Sequence, residues 1–146
     1  MWAMQLFISS AILAELQRLA EAGKPHEICG ILFGDDGRVS TYRPAPNVAA
    51  DPLRHFEIDP ALLIAAERDQ RDGGDTIAGY YHSHPGGSVR PSAIDAGCAA
   101  ADGRIWLILN GQNAAAWHAV ENGDIYGRFN AITLDCTGAK GQTAAE

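Results

Sequence analysis

The chain has 146 residues, a length at which one compact domain is the rule, and 47% of them are apolar, enough to fill a single sizeable core. Its formal net charge is −7 with a pI near 5.1, and only two of its eleven basic residues are lysines. Such a chain offers no basic surface to neutralise a run of phosphates, so nucleic acid is excluded as an expected partner.

In chain order, MQLFIS reads as a first strand, and Ser9 or Ser10 caps a helix with apolar positions at Ile12, Leu13, Leu16 and Leu19 that ends at Gly23. EICGILFG is nearly all apolar, the pattern of a strand buried on both faces with Glu27 as its one charge, and the turn DDG returns it as RVSTYR. PAPNVAADPLR has three prolines and no periodicity, hence a long loop. HFEI is a short strand, Asp59 caps a helix with Pro60 in its first turn, and Gly73 and Gly74 close it. TIAGYYHSH is the next strand, PGGSVRP a loop, and Ser92 opens the helix AIDAGCAAADG. RIWLIL, AAWHAV and IYGRFNAITL form a meander with turns at Asn110-Gly111 and Asn122-Gly123. The fold class is therefore α/β, a mixed sheet flanked by helices, with residues 1–136 as one domain and 137–146 a disordered tail.

Cys29, Cys98 and Cys136 are odd in number and lack a CxxC pair, which argues against a disulfide framework and fits a reducing cytoplasm. The apolar N-terminus has no basic flank and is interrupted by Glu15, unlike a signal peptide. Elsewhere no segment approaches the ~20 apolar residues that span a bilayer, so no membrane association is expected.

The chemistry concentrates in YYHSHPGGSVRPSAID. Side chains two apart on a strand share a face, so His82 and His84 can converge on one ion, and the loop after Pro85 can return Asp95 to the same point. Two imidazoles and a carboxylate leave a fourth tetrahedral position for water, the arrangement of a catalytic zinc site with one Zn2+ per chain. Water held there has its pKa lowered to roughly 7 and becomes the nucleophile, with Glu27 as the group that moves its proton and Ser92 as donor to the developing oxyanion.

Glu27 in HEICGILFG, then His82-Ser83-His84, seven residues, Ser92, two residues and Asp95 together resemble the signature of the JAMM (MPN+) zinc metallopeptidases. Cys29-Gly30, Asn47 and HFEIDP also look like the small stand-alone bacterial members. The resemblance implies a curved sheet flanked by helices, similar to the cytidine deaminases. It implies His82, His84 and Asp95 as zinc ligands, Glu27 as general acid/base and Ser92 as oxyanion stabiliser. It further implies a peptidase or isopeptidase acting after the Gly-Gly tail of a ubiquitin-like or sulfur-carrier protein. The chain has no room for the insertions with which eukaryotic deubiquitinases contact two ubiquitins, so linkage specificity is not implied.

Each residue also has a plainer role to weigh. Two buried imidazoles without partners would be expensive, which favours ligation for His82 and His84, whereas His26, His55 and His118 are read as structural. Ser92-x-x-Asp95 is also a capping-box pattern, and Glu27 could simply pair with Lys24 or Arg90. Cys29 is expected to be a small buried hydrophobe, and Asn47 to order the loop over the cleft. Two other functions stay open: a metal-free scaffold of the same fold, and a zinc hydrolase of a small amide, although the deaminases' PCxxC motif is absent. The oligomeric state is left open, a homodimer included.

Overall fold

A computed structural model describes residues 5–136; the expected disordered tail lies outside these residues. The element order is β1 (Gln5–Phe7), α1 (Ser10–Gly23), β2 (Cys29–Asp35), β3 (Arg38–Ala45), α2 (Pro60–Arg71), β4 (Ile77–Ser83), α3 (Ala93–Cys98), β5 (Ile105–Leu109), β6 (Ala114–Gly123) and β7 (Gly127–Asp135). No helix among the described residues is long and apolar enough to cross a membrane.

The expected curved sheet curls far enough to close on itself, in the order β1-β3-β2-β4-β5-β6-β7. Closure falls to the shortest strand: β1 pairs parallel with β7 over Gln5 to Phe7 and meets β3 at Phe7 opposite Arg38. Most neighbours are antiparallel, as hairpins require. β4 and β5 run parallel, and a parallel pair needs a crossover, here the loop and α3 that carry Ser92 and Asp95.

Strand alternation sorts the apolar side chains onto two faces. On one face Leu32, Tyr81, Leu107 and Leu109 pack against Leu16 and Ala20 of α1. On the other, Ile31 and Phe33 meet Ala66 of α2, and Trp106 and Ile108 join Trp117, Ala119 and Phe129 beneath α3. Cys29 through Phe33 are all buried, as the unbroken apolar run of β2 predicts. Gly79 marks a tight approach of β4 and β5, since a β-carbon there would collide with the backbone of Ile105.

Four expectations are corrected. Glu27 precedes β2 rather than lying in it, because its N–H is taken by the Pro52 carbonyl at 2.8 Å in the loop and not by a neighbouring strand. HFEI is no strand, since the Asn47 side chain binds the His55 carbonyl and the Glu57 N–H, and only Ile58 makes a bridge, to Asn47. α3 stops at Cys98, where Ala99 turns extended (ψ 134°) and buries its methyl among Trp106 and Phe129. The last reversal falls at 124–126, with Tyr126 and Gly127 at positive φ (52° and 70°), while Asn122 at φ 56° sits in an irregularity of β6. Accordingly β7 starts at Gly127.

Candidate metal and catalytic site

β4 delivers both histidines. The 77–83 strand ends at Ser83, so His82 is still in the ladder, opposite Cys29 on one side and Ile108 on the other, and His84 begins the loop. His82 Nε2 and His84 Nε2 are 3.2 Å apart, and they lie 3.2 and 3.1 Å from Asp95 Oδ1 and Oδ2. Zinc–nitrogen bonds of ~2.0–2.1 Å at tetrahedral angles hold neighbouring ligand atoms ~3.3 Å apart, so each of these pairs is near that spacing, with the two imidazoles facing different oxygens of Asp95. Among the described residues this is the one cluster of three His, Cys, Asp or Glu side chains that could hold an ion, with all ligand atoms within 4.8 Å.

The loop after β4 is fastened at three points. His84 Nδ1 donates to the Ser88 carbonyl at 2.7 Å, Asn110 Nδ2 to the Gly87 carbonyl at 2.9 Å, and Trp117 Nε1 to the Val89 carbonyl at 3.1 Å. Because a carbonyl can only accept, the proton of neutral His84 belongs on Nδ1, which turns the Nε2 lone pair toward Asp95 and His82. Gly86 at φ 68° lets the chain reverse.

Ser92 and Asp95 form the capping box that their spacing suggested: the Ser92 hydroxyl accepts from Asp95 N at 3.0 Å, and Asp95 Oδ2 accepts from Ser92 N at 2.9 Å. The cap does not use up the Ser92 hydroxyl. A hydroxyl has two acceptor lone pairs and one proton, so the cap occupies a lone pair and leaves the O–H to donate.

Glu27 is 5% exposed, and its Oε1 has no hydrogen-bond partner among the described residues. The salt-bridge alternatives are absent, since Lys24 pairs with Glu21 at 3.2 Å and Arg90 lies over the Trp117 ring at 5.9 Å. What fixes Glu27 is its backbone. Besides the Pro52 contact, its carbonyl accepts from Asn47 Nδ2 at 2.9 Å, and the adjoining Ile28 is held by Ser83 through Ile28 N to Oγ (2.8 Å) and Ser83 N to the Ile28 carbonyl (3.0 Å).

Burial is the largest influence on every titrating group here, and the outcomes diverge. It raises the Glu27 carboxyl to about 7, offset in part by His84 and reinforced by Asp95 and Asp51. It lowers His82 against the pull of Asp95. On His84 it is outweighed by the Asp95 and Ser88 hydrogen bonds and the charges of Asp95 and Glu27, so that ring is raised. Without an ion, when a proton stands on each Nε2, hydrogen bonds from His82 and His84 overcome its burial and hold Asp95 well below the carboxylate range. The result is a fixed anion among imidazoles beside a carboxyl poised to exchange a proton near neutrality.

All five expected residues thus gather in one place, supported by Asn47 and by two residues that the sequence left unassigned, Ser83 and Phe56. Ser83, on the opposite face of β4 from the histidines, links the strand to the Glu27 segment. Asn47 also donates to the His55 carbonyl (3.0 Å) and accepts from Ala49 N and Glu57 N (3.0 and 3.1 Å), using its whole carboxamide. Phe56 stacks on the His82 ring with centroids 4.3 Å apart. A serine between two histidines was the visible signal for Ser83; nothing local marked Phe56. Cys29 is a buried thiol, 2% exposed and pushed up to about 12 mainly by burial, in keeping with its expected packing role.

Residues 9–122 match the family model described as prokaryotic homologs of the JAB domain. The chain is 37% identical over 102 residues to the desampylase of Haloferax volcanii, covering 68% of this chain and 73% of that one. It is 31% identical over 90 residues to a probable TtuB-protein conjugate cleaving protease of Thermus thermophilus, covering 62% and 60% of the two chains. The crystal structure of a JAB1/MPN domain protein from Archaeoglobus fulgidus superposes with a TM-score of 0.57 at 18% identity, over 90% of this chain and 98% of that one, a likeness of fold.

Proposed function

The chain belongs to the family of prokaryotic JAB-domain homologs and is a JAMM-type hydrolase, and from that premise we propose that it is a zinc-dependent isopeptidase cleaving after the Gly-Gly tail of a ubiquitin-like or sulfur-carrier protein. The observation that carries this is the convergence of His82, His84 and Asp95 at ligand spacing beside a buried carboxyl with an unpartnered oxygen. A scaffold would have no use for either.

His82, His84 and Asp95 would hold the ion, which when bound would supply a Lewis acid to the scissile carbonyl and to water. Glu27 takes the proton released as the carbonyl is attacked by water and returns it to the leaving amine, and its burial, which raises the carboxyl, favours holding that proton between the two transfers. The Ser92 O–H donates to the oxyanion. The Asp95 carboxylate offsets part of the ion's charge, and the Ser88 carbonyl keeps the His84 ring aligned through Nδ1. The conjugate-cleaving relatives support the choice of a ubiquitin-like substrate.

The test is elemental analysis together with turnover of a peptide ending in Gly-Gly joined to a lysine Nε. One zinc per chain, with cleavage lost on chelation and restored by zinc, is the expected result. Stoichiometric zinc without cleavage of any such substrate would refute the isopeptidase function.

A further inference from the structure

The two histidines of the cluster are held by different means. His82 lies in the sheet between Cys29 and Ile108, so a strand on each side fixes its backbone. His84 follows the last residue of β4, and its ring depends on the chain that comes next. Its carbonyl accepts from Gly87 N at 3.0 Å, which closes a tight turn with Pro85 and Gly86 (φ 68°) at the two central places, as a type II turn requires. Ser88 then presents its carbonyl to His84 Nδ1 at 2.7 Å. Gly86, Gly87 and Ser88 are all exposed, so burial does little to keep that carbonyl in place.

The end of β5 supplies the missing support. The Leu109 carbonyl accepts from His84 N at 2.9 Å, and Asn110 Nδ2 donates to the Gly87 carbonyl at 2.9 Å. The orientation of this carboxamide is forced, because its Oδ1 faces Gln112 N and Asn113 N at 2.8 and 2.7 Å, and both can only donate. Those two bonds are all that the turn at 110–113 needs from an asparagine; the Nδ2 bond reaches 23 residues back along the chain. Building on the zinc site proposed above, we propose that Asn110 is a positioning residue for the metal. By anchoring the Gly87 carbonyl it keeps the adjoining Ser88 carbonyl on His84 Nδ1, aims Nε2 at the ion, and so sets how tightly the chain holds zinc. Groups that orient a ligand histidine in this way are worth roughly ten- to a hundredfold in metal affinity. Trp117 fastens the same loop through Val89, but its ring is buried in the core, whereas Asn110 is only half-buried and can be changed without repacking.

Asn110→Asp separates the two duties of the side chain, since a carboxylate keeps both bonds of the turn and loses the donor. Competition with a chelator should show zinc held about tenfold less tightly, and the cobalt-substituted variant should have altered visible bands. In the metal-free protein, NMR should find the His84 Nδ1 proton protected from exchange in wild type and lost from the spectrum of the variant. Asn110→Ser, whose hydroxyl serves the turn but cannot reach Gly87, takes its place if the aspartate disturbs folding. Gln112→Ala leaves every one of these bonds intact and should match wild type. Equal zinc affinity in a folded variant, a ring proton that stays protected, or an equal loss in Gln112→Ala would overturn the proposal. A wild-type chain that takes up no zinc would overturn the zinc enzyme instead, and the ring proton then judges Asn110 by itself.

Discussion

Glu27 is a buried carboxyl with an oxygen that meets no donor, and such a group costs stability whenever it is charged. Its folded-state pKa of about 7 lies above the ordinary 4.5, so the cost is absent below about pH 4.5, grows between the two values and is complete above 7. Glu27→Gln removes it. Thermal denaturation of the metal-free proteins should find the variant more stable than wild type by about 2 kcal/mol at pH 8 and no more stable at pH 4. Its kcat should fall by about a thousandfold with zinc content unchanged. Asn47 offers the opposite case, because truncating it leaves the Glu27 and His55 carbonyls and two N–H groups without their partner. Asn47→Ala should cost about 3 kcal/mol in denaturant unfolding, and kcat should drop more than KM changes, because the base is displaced.

Elements were legible in the sequence where one local rule governed them. The caps at Ser9 and Asp59 fall where expected, and each serves its helix through the side chain. HFEI failed because an asparagine side chain from the loop leading into it took the bonds a strand would need, which the pattern within HFEI cannot reveal. Glu27 was found by residue type and placed in the wrong context for the same reason: the loop carbonyl of Pro52, not a strand, holds it. The His-x-His motif was readable because a period of two is a property of the strand itself. At this scale Gly79 is the sensitive point, since Gly79→Ala drives a methyl into the Ile105 backbone between the two parallel strands. We expect a loss of about 3 kcal/mol in chemical denaturation, and weaker zinc binding because the disturbed strand ends in both imidazoles.

For the molecule as a whole, the metal site joins the approach to β2 to the end of β4 and the start of α3, the first segment lying far from the other two in sequence. A ligand bound only by the folded state stabilises it by mass action, about 2.7 kcal/mol at one hundred times Kd. For a chain of this size that corresponds to a rise in Tm of about 5–10 °C, which calorimetry with and without zinc will measure. His84→Ala should abolish the rise. The barrel closure was the least legible feature, because it depends on a three-residue strand whose longer pairing, with β7, reaches to the other end of the chain.

The alternation of β4 has one more consequence. His82 and the bond-forming Ser83 look in opposite directions from adjacent positions, so the strand's odd and even sites carry different duties. Deleting one residue between Gly79 and His82 would exchange them, sending the imidazole inward toward α1 and leaving a hydroxyl where an ion should sit. Two deletions would restore the frame, so insertions and deletions in this strand should be tolerated by parity rather than by number.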